Sequence, residues 1–196
     1  MSELDLENQI VAAEAYEQLH VPALFQQWTK QVLDAVTVRP GDRVLDVACG
    51  TGVLFPYYLN RNVLRITGVD VSQCMIAEAR RKFSDPRIHL FCADAQTERF
   101  AQHDKCVVFN ALPHFSDPRA LVGSLKDSLR IGGRLTVAHG ESRQRINDRH
   151  VARAMDVSHM LMSGVELDRL FEPHFRVDRI VDDGEYYLVS GILVSQ

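Results

Sequence analysis

Little in this 196-residue chain suits covalent cross-linking or soft-metal binding: it has four cysteines, Cys49, Cys74, Cys92 and Cys106, and no Cys-x-x-Cys pair. They read as reduced thiols, not as a disulfide framework or a zinc site. No apolar run approaches the roughly 20 residues a membrane span needs, so no membrane association is expected. Positive charge is also short, with 22 Lys and Arg against 26 Asp and Glu and a formal net charge of -4. That balance gives no drive toward a polyanion and argues against a nucleic-acid partner. No Lys or Arg precedes Lys30, whereas Glu3 and Asp5 come early, the reverse of a secretory or transit leader. A cytoplasmic location is therefore expected. Repeats, linkers and low-complexity stretches are absent, and 46% of the residues are hydrophobic, enough for the core of one domain covering 1–196.

What is present is an alternation of short apolar runs with helical periodicity, the pattern of βαβ units around a parallel sheet. Strands are expected at Arg43–Ala48, Ile66–Val71, Ile88–Cys92, Cys106–Asn110 and Arg134–His139. Helices are expected from about Gly52 to Asn60, after Ser72, and after Ser116-Asp117-Pro118, the last ended by Gly132-Gly133. Gly140 to about Met162 reads as a polar segment. Ser163-Gly164-Val165-Glu166 has the form of a capping box. Asp182-Asp183-Gly184 then joins two closing strands, Phe175–Val181 and Tyr186–Val194, as a hairpin turn.

Asp46-Val47-Ala48-Cys49-Gly50-Thr51-Gly52 lies at the carboxyl end of the first expected strand. In an open parallel sheet ligands bind there, and glycines let the backbone approach them closely. Asp70 ends the second strand, 20 residues after Gly50, placed to accept hydrogen bonds from two ribose hydroxyls. Asp94 follows the third strand at the same rim, where its carboxylate could meet an adenine amino group. Strand-end capping alone does not account for three acids at three successive strand ends around one glycine loop. A nicotinamide dinucleotide fits poorly. Its G-x-G-x-x-G fingerprint needs a small third residue where helix and strand touch, and Phe55 stands there.

The motifs VLDVACGTG (44–52), GVDVS (68–72), CADA (92–95), FNALPHF (109–115) and LRIGGRLTVAHG (129–140) resemble, in order, those of class I S-adenosylmethionine-dependent methyltransferases. The chain most resembles their small-molecule branch, which includes the ubiquinone and menaquinone biosynthesis enzymes, and the likeness runs from about residue 10 to the end. One departure is Ala48, where many relatives carry the loop's first glycine. The resemblance implies a Rossmann-like, doubly wound, mostly parallel seven-stranded α/β sheet ending in an antiparallel hairpin strand. Residues 1–40 would form a helical lid and 41–196 the core. It implies S-adenosyl-L-methionine as cofactor, with S-adenosyl-L-homocysteine as product. Asp46, Ala48, Cys49, Gly50, Thr51 and Gly52 would hold its methionine part and Asp70 its ribose, with Val71 in the same set. Met75 would lie against the adenine, Asp94 and Ala95 would meet its edge, and the Asn110 main-chain carbonyl would face the cofactor's amino group.

Methyl transfer from a sulfonium is an in-line displacement, so placement of the acceptor does most of the work. A base is needed only for an acceptor protonated at neutral pH, and histidine suits that role. His114 and His139 are the candidate bases, and Tyr16, Glu141, Arg143 and His150 the candidate substrate contacts. No metal is expected, because oxygen-rich sites gather several carboxylates and only Glu141 and Asp148 are near. Arg145, Arg149 and Arg153 recur every four residues, either as a solvated face or as a stripe that attracts an anion. The expected function is methyl transfer to a small-molecule acceptor. The alternative is an inactive cofactor-binding module acting as a sensor or partner subunit. Whether the protein is a monomer or a homodimer stays open.

Overall fold

The computed structural model describes residues 30, 32, 34–100, 102–153 and 159–195, so Tyr16 and most of the expected lid lie outside the described residues. Of that lid, the helical residues Val32, Ala35 and Val36 are buried against the core.

In chain order the elements are β1 (Arg43–Val47), α1 (Phe55–Leu59), β2 (Arg65–Asp70), α2 (Gln73–Lys82), β3 (Ile88–Cys92), β4 (His103–Phe109), α3 (Pro118–Ser128), β5 (Leu129–His139), α4 (Arg143–Arg153), α5 (Gly164–Phe171), β6 (Phe175–Asp182) and β7 (Tyr187–Leu193). The strands form one seven-stranded sheet in the order β3-β2-β1-β4-β5-β7-β6. Among the described strands only β7 runs antiparallel, pairing with both β5 and β6. The first three strands step outward one way from β1 and the next two the other way, so the order reverses between β1 and β4. A crevice at the carboxyl ends of the strands opens at such a reversal.

Alternating side chains of the central strands feed two cores. Leu45, Val47, Cys106 and Val108 pack beneath α3 and α5 with Leu121, Leu125, Leu167 and Phe171. Val44, Val107 and Ile66 pack on the other face with Phe55, Tyr58 and Ile76. Helix starts follow their sequence signals. Asp117 caps α3 by accepting from the Ala120 N–H at 2.9 Å, with Pro118 in the first turn. Ser163 and Glu166 form the reciprocal capping box that opens α5.

Three boundaries differ from expectation. Gly132-Gly133 does not end α3, which stops at Ser128. Leu129 already pairs with His103 and Arg134 with Lys105, so the residues between them form a bulge within β5. Gly132 takes φ +79°, and a Cβ at Gly133 would sit 2.8 Å from the Arg130 carbonyl and 3.2 Å from that of His103. The glycines serve a tight bulge against β4, not a helix cap. Second, β4 starts at His103, three residues before the apolar run. Its polar start is buried because it is partnered: His103 Nε2 lies 2.9 Å from Thr67 Oγ1, and Asp104 accepts the Arg43 N–H at 2.6 Å and pairs with Arg130. Third, the polar stretch after β5 contains α4. Among the described residues no helix is long and apolar enough to cross a membrane.

Candidate functional site

After β1 the chain turns through Ala48, Gly50 and Gly52 at φ +54°, +55° and +85°. Cys49 N–H donates to the Val69 carbonyl at 3.0 Å, which docks the loop on β2. Asp70 then ties the glycine loop to the start of α2: one carboxylate oxygen accepts the Gly50 N–H and the other the Ser72 N–H, each at 2.9 Å. Ala48 holds a conformation that costs an L residue about 1–2 kcal/mol, a local strain of the kind found where a backbone is shaped for a ligand.

The three glycines nearest the loop serve different purposes. A Cβ at Gly50 would meet nothing within 4 Å, so this backbone faces open space. A Cβ at Gly52 would lie 2.6 Å from the Phe55 ring and 2.8 Å from Phe83, and one at Gly68 would lie 2.7 Å from Phe55. Phe55 is fully buried and packs edge-on against Phe83 at 5.3 Å. The small residue a dinucleotide fold places on the helix has been exchanged here. The helix carries a large ring, and glycines in the loop and on β2 make room for it.

Two adjoining cavities of about 220 and 260 Å³ open at the strand ends, together in the range of a small-molecule site. They share Ala48, Asp70, Ala111 and His114. Asp46, Cys49, Gly50, Thr51, Met75 and Asn110 line the first, and Val71, Asp94 and Ala95 the second. Every expected cofactor residue except Gly52 is therefore on a cavity wall. Asp94 Oδ1 accepts the Gln96 N–H at 2.9 Å, and Gln96 Oε1 accepts the Asp117 N–H at 2.9 Å, tying the second cavity to the start of α3. Asn110 stands at φ +54°, with its Oδ1 accepting the Gly140 N–H at 2.9 Å, which joins the ends of β4 and β5. Gln96 and Ala111 were not among the sequence candidates. Neither residue type carries a chemical signature of its own.

The electrostatics are set by burial. Asp46 is 2% exposed, and burial, aided by the Asp70 charge, pushes its carboxyl up to about 8. The Tyr58 hydroxyl faces it and favours its charged form, yet neither Asp46 Oδ2 nor that hydroxyl reaches the geometry of a formed hydrogen bond. Burial also raises Asp70, against the pull of the Ser72 and Gly50 N–H groups and the nearby His114.

On the acceptor side the candidates separate. His114 is exposed and shared by both cavities, at the end of a 3₁₀ turn, Leu112–His114. His139 is 3% exposed and edge-on to Tyr187 at 5.9 Å, and it lines neither cavity. Arg143 binds Asp182 and Glu141 binds Arg149, so the charges of these two arginines are neutralised within the fold. Tyr16 and the His150 side chain lie outside the described part. Among the described residues no group of three or more His, Cys, Asp or Glu could hold a metal ion.

Residues 44–133 match the family model described as a methyltransferase domain. An O-methyltransferase of Pyrenophora dematioidea is 29% identical over 119 residues, 58% of this chain and 45% of that protein. A demethylmenaquinone methyltransferase of Renibacterium salmoninarum is 31% identical over 115 residues, 58% of this chain and 47% of that protein. The chain spans about half the length of these curated relatives. Among solved structures, the methyltransferase in complex with the Haloferax volcanii Trm112 methyltransferase activator has a TM-score of 0.81 at 17% identity, covering 100% of this chain and 99% of that one. At that identity the likeness is one of fold. The stretch that matches the family model contains the glycine loop and all three strand-end acids, so residues 44–133 are similar to a methyltransferase domain and the chain as a whole shares the fold of solved methyltransferases.

Proposed function

We propose that the chain binds S-adenosylmethionine across the two adjoining cavities and directs its methyl group to a small-molecule acceptor. The observation that carries this reading is the set of three acids, Asp46, Asp70 and Asp94, on the walls of one crevice whose glycine loop leaves open space at Gly50. The residues fit the cofactor's chemistry. Asp46 offers a buried carboxyl oxygen without a hydrogen-bond donor, suited to a cationic amino acid moiety. Asp70 is already fixed by two backbone N–H groups and has lone pairs left for a pair of hydroxyls. Asp94 is oriented by Gln96 for an exocyclic amine.

When bound, the cofactor supplies a methyl carbon activated by a sulfonium. The rest of the chemistry falls to the protein. Asp70 and the loop fix the ligand against the sheet, Phe55 holds the loop from below, and Asn110 keeps the ends of β4 and β5 together. His114, exposed and common to both cavities, is the side chain placed to orient an acceptor or take its proton. His139 is enclosed by packing and serves structure. A small acceptor accords with relatives named for O-methylation and for demethylmenaquinone.

The test is incubation with isotopically labelled S-adenosylmethionine and a metabolite extract, read by mass spectrometry. Products heavier by one labelled methyl group are expected. Cofactor binding with no labelled product from any extract would make the chain a binding module instead.

A further inference from the structure

We propose that Asp46 selects its ligand by charge: it is neutral in the free protein, and it gives its proton to solvent only when a cation enters the cavity it lines. The inference rests on the reading of that cavity as the S-adenosylmethionine site, whose ligand carries an ammonium group.

Asp46 sits mid-sheet on β1 with 2% of its surface exposed, and its Oδ2 accepts no hydrogen bond. The titratable groups that face it come from each neighbouring element: Tyr58 from α1 favours its charged form, Asp70 from β2 opposes it, and the thiols of Cys49 from the glycine loop and Cys106 from β4 are themselves pushed up by burial and by Asp46. Among the described residues no basic group acts on Asp46 itself, although His114, on the wall of the same cavity, pulls on Asp70. A carboxylate stripped of water, facing a second carboxylate and without a formed hydrogen bond at one oxygen, is strongly disfavoured relative to its acid. Its value near 8 reflects that burial.

The same surroundings make Asp46 responsive. It lines the first cavity, so a cation placed there would supply the missing counter-charge. The buried Tyr58 hydroxyl, which has no formed hydrogen bond, is available to donate to the carboxylate once it ionises. A neutral ligand would leave the proton in place. Tyr58 thus acts as a positioning residue that lowers the cost of ionising Asp46, and the pair favours cations over neutral isosteres.

Calorimetric titration of the protein with S-adenosylhomocysteine, in buffers of different ionisation enthalpy, reads the proton directly. At pH 6.5 the wild type is expected to release close to one proton per ligand bound and to tighten about tenfold per pH unit between pH 6 and 7. Asp46→Asn, an uncharged isostere, should release none and show a flat affinity over that range. Tyr58→Phe should displace the wild-type dependence to higher pH. A measurement without ligand stands beside these. As pH rises from about 4 to 8 the wild type should lose thermal stability relative to Asp46→Asn, and the loss should level off above 8, because only between those values does the folded state hold a proton that the unfolded chain has given up. Ligand binding by the wild type without proton release, or equal release by Asp46→Asn, overturns this inference alone. Absence of any binding overturns it together with the cofactor reading.

Discussion

Gly50 and Gly52 are two residues apart, and both hold left-handed backbone, yet replacing each by alanine should damage different properties. Either alanine incurs the left-handed penalty of about 1–2 kcal/mol. At Gly50 that is the whole cost to folding, since its Cβ would meet nothing within 4 Å. For a chain of this size the loss corresponds to a fall in Tm of about 2–8 °C. At Gly52 the new methyl lies 2.6 and 2.7 Å from Phe55 and 2.8 Å from Phe83. The Phe55 ring cannot retreat toward β2, because its far end already fills the space above Gly68. Overpacking adds about 1–3 kcal/mol, for a total of roughly 2–5 kcal/mol and a Tm loss of about 5–20 °C. Binding should show the opposite order. The Gly50 methyl would stand in the open space of the first cavity and weaken S-adenosylhomocysteine at least about tenfold, or 1.4 kcal/mol, the larger specific loss once each protein is assayed well below its Tm. Differential scanning fluorimetry and calorimetry on the two variants separate these effects. A Gly50→Ala protein that binds like wild type, or one less stable than Gly52→Ala, would refute the division of labour between the two glycines.

His103 gives a pH dependence at the other end of the sheet. Its folded-state value is lowered from 6.5 to about 4, chiefly by burial. The unfolded chain therefore binds more protons between pH 4 and 6.5, so this group makes stability rise with pH across that window and be complete above it. The difference in unfolding free energy between wild type and His103→Gln should shrink by about 3 kcal/mol on going from pH 6.5 to 4, as denaturant titrations at each pH can measure. A constant difference would mean that His103 is not held neutral by its surroundings. For His114, replacement by alanine should lower turnover on an acceptor that must lose a proton by about 10²–10⁴-fold while S-adenosylhomocysteine affinity stays within about threefold. Steady-state kinetics with calorimetry on the same variant checks both, and unchanged turnover would leave His114 with packing alone.

The site was legible because its chemistry is local. Asp46, the glycine loop, Asp70 and Asp94 each sit within a residue or two of a strand end, and strand ends are marked by the switch from apolar run to turn residues. Phe55 was legible as a departure from the dinucleotide pattern, but the glycine that accommodates it, Gly68, is on another strand and has no local signal. The same limit explains the boundary of β4. His103 and Asp104 read as loop residues until Thr67, Arg43 and Arg130 are brought to them from elsewhere in the chain. Gly132-Gly133 reads as a helix end for a related reason. A glycine pair after a helical pattern fits either a cap or a bulge, and only the pairing of β5 with β4 decides. The acceptor side was least legible, since Arg143 and Glu141 are neutralised by Asp182 and Arg149, and no spacing rule reports an ion pair spanning 39 residues.

The central claim is that this crevice holds S-adenosylmethionine through Asp70 and the loop it organises. Titrating S-adenosylhomocysteine into the wild type and into Asp70→Ala, under identical conditions in a calorimeter, tests it most directly. The carboxylate holds the Gly50 and Ser72 N–H groups and is proposed to accept the ligand's hydroxyls, so its loss should cost about 1.5–3 kcal/mol, or roughly 10–150-fold in Kd. One-to-one binding by the wild type with that loss in the variant is the predicted result. No binding by the wild type, or equal affinity in both proteins, would contradict it.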